Sequence, residues 1–173
     1  MGKIVSSTYV TLDGVMEDPQ NWSFDYFDDA AGAFALDSLR KSDALLMGRR
    51  TYDSFAEVWP ERTGDEFSDK INSMPKYVAS TTLTDPAWTN TTVLGSDVAS
   101  DVAELKQRHD GDILMYGHGP VARLLLENNC STSCTSGSTR CCGATPQPTI
   151  CCSGRRPPHD SRCRDRRSST RAS

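Results

Sequence analysis

Apolar and polar positions along the first three quarters of the chain follow two periods in alternation. Residues 3–12, KIVSSTYVTL, are rich in β-branched side chains and predict a strand, which the Asp13-Gly14 turn signal ends. Residues 15–28 read as a loop holding Pro19 and the aromatics Trp22, Phe24 and Phe27. From Asp28 or Asp29 to about Ser42, Ala33, Leu36 and Leu39 recur at helical spacing, with Phe34 and Ala35 beside them. The run Ala44-Leu45-Leu46-Met47 predicts a buried strand, and RRTYDSFAEVW after Gly48 a helix. A polar connection is expected from Pro60 to Lys70. Short strands follow at 76–80 and 91–94, a helix at 98–109, a strand at 112–116, the turn Gly117-His118-Gly119-Pro120 and a helix at 121–128. Strands alternating with helices predict an α/β fold with a mainly parallel central sheet covered on both faces, in three layers.

The pattern stops near residue 129, and composition divides the chain there. Residues 1–129 hold all three Trp, all five Tyr and all five Phe, and no Cys. Residues 130–173 hold all seven Cys, and Ile150 is their one large aliphatic residue. The body carries 11 basic and 21 acidic groups, net −10; the tail carries eight Arg against Asp160 and Asp165, net +6. We therefore read 1–129 as one domain and 130–173 as a Cys/Arg/Ser-rich tail outside it, with too few apolar residues to fold. An acidic body argues against a nucleic-acid partner. No run approaches the roughly 20 apolar residues of a membrane span, and no secretory leader precedes the first strand. A Cys-free body then suggests the cytoplasm.

Two strand-to-helix junctions carry candidate chemistry. In LLMGRRTY, Gly48 lets the backbone turn sharply, the following N–H groups open a helix, and Arg49, Arg50 and Thr51 add charge and a hydroxyl, which suits an anion. In LMYGHGPVARLL, Gly117 and Gly119 allow close approach by a ligand, and Pro120 suits a first helical turn. Taken singly, each is equally well a tight turn, and Gly117-x-Gly119 is not a full dinucleotide fingerprint. His109 reads as a surface residue at a helix end, and Glu57, Glu61 and Asp65 as solvated charges.

The order TLDG (11–14), LLMGRRTY (45–52), PKYVAST (75–81) and DILMYGHGPVARLLLE (112–127) resembles the dihydrofolate reductase-like superfamily. It is most similar to the bacterial branch related to the reductase domain of riboflavin biosynthesis, the RibD C-terminal domain. The resemblance implies a reductase using NADPH on a small molecule. It implies phosphate contacts at Gly48, Arg49, Arg50 and Thr51, a ribose 2′-phosphate near Ser80 and Thr81, and a pyrophosphate over Gly117, His118, Gly119 and Pro120. Asp13, Trp22 and Asp25 of the first loop would face the substrate, with core packing as the plain alternative for the aromatic residues. Folate-reducing members place a carboxylate in the first helix; the matching interval lands near Gly32, so folate is not the expected substrate. Family members often form homodimers through later strands. A nucleotide-binding domain without turnover is the alternative, and a zinc or nucleic-acid module in the tail a remote one.

The tail has no C-x-x-C, and its Cys-Cys pairs at 141–142 and 151–152 do not suit one tetrahedral site, so no metal is expected. The superfamily continues after its last helix with a strand segment like LLDELHLWVHPVLRG. Joining the third base of each codon from Asn129 onward to the first two of the next permits that 15-residue run throughout. The tail therefore reads as a frameshift at about residue 129. Loss of the late strands would leave a sheet edge exposed.

Overall fold

The computed structural model describes residues 2–11, 13–128 and 130, together with the backbone of Thr132–Ser138 and Thr149–Ile150. Its strands are β1 (Ile4–Val10), β2 (Ser42–Gly48), β3 (Lys76–Ala79), β4 (Thr91–Leu94), β5 (Asp112–Tyr116), β6 (Thr132–Ser138) and β7 (Thr149–Ile150). Its helices are α1 (Asp29–Arg40), α2 (Arg49–Val58), α3 (Glu66–Ser73), α4 (Val98–Arg108) and α5 (Pro120–Glu127). The strands lie in the order β4-β3-β2-β5-β1-β6-β7. Every pair is parallel except β6 with β7.

Burial explains why β2 and β5 read as unbroken apolar runs. Ala44 to Met47 and Ile113 to Met115 are all buried, because helices cover both faces of a parallel sheet. On one face Val102 and Leu105 of α4 and Ala122 and Leu125 of α5 pack on Ile4, Leu46, Ile113 and Met115. On the other, Leu39 of α1, Tyr52 of α2 and Ile71 of α3 pack on Leu45, Met47, Val78 and Leu114.

Three expectations are corrected. The connection expected at 60–70 contains most of α3. Asp65 is exposed, as expected, and is also its N-cap, accepting from the Ser68 amide. Phe67 and Ile71, four apart, turn one face of this short helix to the core, a signal diluted by the polar residues between them. His109, the C-cap of α4, is half-buried, with Nε2 3.1 Å from the Tyr77 hydroxyl and the two rings edge to face. The first loop's aromatics do not form a core. Phe24, the first residue of a 3-10 turn, is 69% exposed, and Phe27, its C-cap, 44%.

The edge beyond β1 is also not empty. The backbone of Thr132–Ser138 pairs with β1 over all seven residues, from Ile4 opposite Thr132 to Val10 opposite Ser138. Ladder hydrogen bonds depend on backbone groups alone, so a Ser/Thr/Cys segment can occupy the position without apolar side chains.

Candidate functional site

Parallel neighbours bring their carboxyl ends to one rim. Met47 is in register with Tyr116, and Gly48 with Ala79. The two glycine turns are thus adjacent. After β2 the chain crosses to the α1–α2–α3 face; after β5 it crosses to the α4–α5 face. Between adjacent strands this divergence is a topological switch point, where open α/β sheets present a ligand crevice.

The turns touch. A Cβ added to Gly117 would stand 2.7 Å from Thr51 Oγ1, and Gly117 adopts φ +82°, which other residues rarely take. Gly48 is less constrained: a Cβ there would meet Val121 Cγ2 at 3.3 Å. Gly117→Ala is accordingly expected to lower stability by about 2–3 kcal/mol, combining left-handed strain with displacement of Thr51. Gly48→Ala, needing only a small shift of a valine methyl, should cost less than half of that. Thermal melts of the two variants check the ranking.

Helix starts divide into two kinds. Asp28, Asp65 and Asp97 cap α1, α3 and α4 by accepting from backbone amides. Gly48 and Gly119 open α2 and α5 with no side-chain cap, leaving first-turn amides without a side-chain acceptor at the rim. Space above Gly119 is open, and His118, Gly119, Pro120, Arg123 and Leu126 line an open concavity there. Arg123 pairs with Glu127 on the exposed face of α5.

Arg49 lies along the first turn of α2. Its Nε donates to both oxygens of Asp53, at 2.8 and 2.9 Å, and its Nη1 to Thr82 Oγ1 at 3.4 Å. That ion pair is exposed and weak enough for an anion to displace. Arg50 is exposed and has no partner among the described residues. Ser80 is spent on its own turn, accepting from the amides of Thr82 and Leu83, while Thr81 is exposed. Thr82, not singled out in the sequence, is the residue of this loop that meets Arg49; only its proximity to the motif could have suggested it.

On the far side of β5 the rim continues into β1 and the first loop. Asp13, Trp22 and Asp25 share that loop, but no hydrogen bond joins them. Asp13 accepts from Thr11, which holds its carboxyl below the usual range. Trp22 Nε1 donates to the Glu17 carbonyl at 3.0 Å, and Asp25 is exposed. Two tyrosines unremarked in the sequence stand between loop and turns. Tyr9 meets the Phe27 ring edge to face, and Tyr116 lies against Phe55 with centroids 5.2 Å apart. Burial pushes both phenols above their ordinary range, Tyr116 further because it is buried more deeply, with nearby Tyr9 adding to the rise. They stay protonated and can donate hydrogen bonds. Among the described residues no group of three or more His, Cys, Asp or Glu could hold a metal. No helix among them is long and apolar enough to cross a membrane.

A sequence model of the RibD C-terminal domain matches residues 2–131. No curated protein matches significantly. Among solved structures, a putative riboflavin biosynthesis protein from Shewanella sp. PV-4 has a TM-score of 0.56 at 19% identity, over 78% of this chain and 76% of that one. Schistosoma mansoni dihydrofolate reductase has a TM-score of 0.46 at 17% identity, over 78% and 73%. The family match spans both glycine turns and stops where the composition changes, and on it the chain belongs to the RibD C-terminal domain family.

Proposed function

We propose that the domain is an NADPH-dependent reductase of small molecules, of the kind that reduces a ribosylamino-pyrimidine in riboflavin biosynthesis, working in the cytoplasm. The observation that supports this best is the adjacency of two uncapped, glycine-opened helix starts at the switch point between β2 and β5. Their amides would hold the diphosphate, with Thr51 between the turns. Arg49 would exchange Asp53 for the ribose 2′-phosphate, joined by Arg50 and by Thr81 on the neighbouring loop, since a guanidinium pairs bidentately with phosphate oxygens. When bound, the nicotinamide supplies the hydride. Asp13, Trp22 and Asp25 lie on the loop that would close over the substrate, while the phenols of Tyr9 and Tyr116 offer neutral donors nearby.

Titration with NADPH and NADH, followed by tryptophan fluorescence, tests the cofactor. Consumption of NADPH with a riboflavin-pathway aminopyrimidine tests the reaction. The double variant Arg49→Ala, Arg50→Ala is expected to weaken NADPH about tenfold or more and NADH much less. Equal losses for the two would remove the 2′-phosphate from this corner. A second reading, binding without turnover, is favoured by the tail, whose Ser/Thr/Cys strand lies where an apolar one is expected. In that case NADPH binds and no aminopyrimidine is reduced.

The tail is read as out of frame. Composition changes near residue 129, the family match ends at 131, and the permitted alternative frame spells a family-like strand. This reading demands particular codons: an AG-type serine codon at Ser133 and a terminal T at Ser136. The nucleotide sequence of codons 129–144 decides it, and a TC-type codon at Ser133 would exclude it. A homodimer built through later strands would depend on the same repair.

A further inference from the structure

His118 stands between the two glycines of the second turn, and one side of its ring is already engaged. Nδ1 lies 3.2 Å from Oγ of Ser6, a residue of β1 that is 112 positions away in sequence and only 1% exposed. The contact ties the β5–α5 turn to the strand beside β5. Ser6 Oγ has no other hydrogen-bond partner among the described residues. A buried hydroxyl must place its proton on an acceptor, and leaving it unmet is costly. Nδ1 is the acceptor within reach, so the hydroxyl donates to Nδ1. A neutral imidazole that accepts at Nδ1 carries its proton on Nε2. Nε2 has no protein partner among the described residues, and His118 lines the open concavity at the uncapped start of α5.

We infer that Ser6 is a positioning residue for the cofactor site: it fixes His118 as the Nε2–H tautomer, and that N–H donates to a diphosphate oxygen of the bound dinucleotide. The inference rests on the cofactor reading above and adds to it a specific donor and the residue that orients it. The first-turn amides of α5 have fixed directions; a side-chain donor from His118 adds a contact that the backbone does not supply.

The test uses the full chain and its Ser6→Ala, Ser6→Thr and His118→Gln variants. Nitrogen-15 NMR of the histidine ring reads the tautomer, and titrations with NADPH and with adenosine 2′-monophosphate read affinity. The monophosphate reaches the adenosine end of the site but carries no diphosphate. In the wild type His118 is expected to show a protonated Nε2. Ser6→Ala should mix the tautomers and weaken NADPH about five- to tenfold, leaving the monophosphate unchanged. Ser6→Thr, which keeps the hydroxyl, and His118→Gln, whose amide can donate from near the Nε2 position, should each recover most of the affinity. Equal weakening of both ligands by Ser6→Ala would mark general damage to the fold and overturn the inference. So would an unchanged tautomer with unchanged NADPH affinity. If the wild type binds the monophosphate but not NADPH, or neither, the cofactor reading itself fails, a result distinct from the loss of Ser6's role alone.

Discussion

Replacing Lys76 by methionine is expected to lower the unfolding free energy by about 2–4 kcal/mol, among the largest effects of any single substitution in the domain. Lys76 opens β3 and is fully buried, an unusual place for an ammonium. Its Nζ donates to the carbonyls of Asn72, Met74 and Thr89 at 2.7, 2.8 and 3.1 Å. The first two belong to the end of α3, so the charge closes the negative end of that helix. The Trp88 ring lies 4.5 Å from Nζ, and its indole N–H is held by Asn72 Oδ1 at 2.8 Å. Methionine matches the length of the stem but takes the donor from three carbonyls, one buried and two partly buried. Chemical denaturation measures the loss; a change within about 0.5 kcal/mol would show that water replaces the ammonium without cost. Burial also pushes the Lys76 pKa down to about 8. The folded chain then releases this proton before the unfolded chain does, near its ordinary value of about 10.4. Stability of the wild type relative to Lys76→Met should therefore rise between about pH 8 and 10.4 and be flat below.

Lys76 also marks the limit of what the sequence alone discloses. Strands with a strong local signature were legible to within a residue or two: β4 and β5 fall where β-branched or apolar runs stand between turn residues. The glycine turns were legible too, because Gly48 and Gly117 each follow an apolar run directly. That the two turns touch was not, since Thr51 meets Gly117 only through the pairing of β2 with β5, strands 64 or more residues apart. The same holds for Ser6 with His118, for Tyr9 near Tyr116, and for Lys76, whose acceptors come from α3 and the β3–β4 connection. Local pattern carries burial and period, whereas a site assembled from four strand ends depends on strand order. α3 was missed for a different reason: eight residues make barely two turns, so two apolar positions carry the whole signal.

Restoring the apolar face of β6 should stabilise the domain more than any surface change. In register, Cys134 and Ser136 stand opposite Ser6 and Thr8, the β1 positions that alternate on the same side as Ile4, which packs with α4 and α5. Leu126 of α5 is 38% exposed, and Leu124 is only partly buried. The proposed alternative frame, one nucleotide inserted at codon 129, permits leucines at both positions with glutamate and histidine at 133 and 135, an alternation that suits a strand with one side on the core. Cys134→Leu with Ser136→Leu in the present chain is expected to add about 2–4 kcal/mol, at roughly 1.5–3 kcal/mol for each large side chain fully buried, less what the unfolded chain already hides. For a domain of this size that raises the thermal midpoint by about 6–15 °C. Ser133→Leu with Thr135→Leu adds the same apolar surface on the opposite side, where the alternative frame supplies polar residues, and should gain little or promote aggregation. Calorimetry of the two pairs separates a strand position awaiting its own side chains from a surface that merely tolerates grease. Equal gains from both pairs would mean that β6 has no preferred face, and the frame argument would lose its structural support.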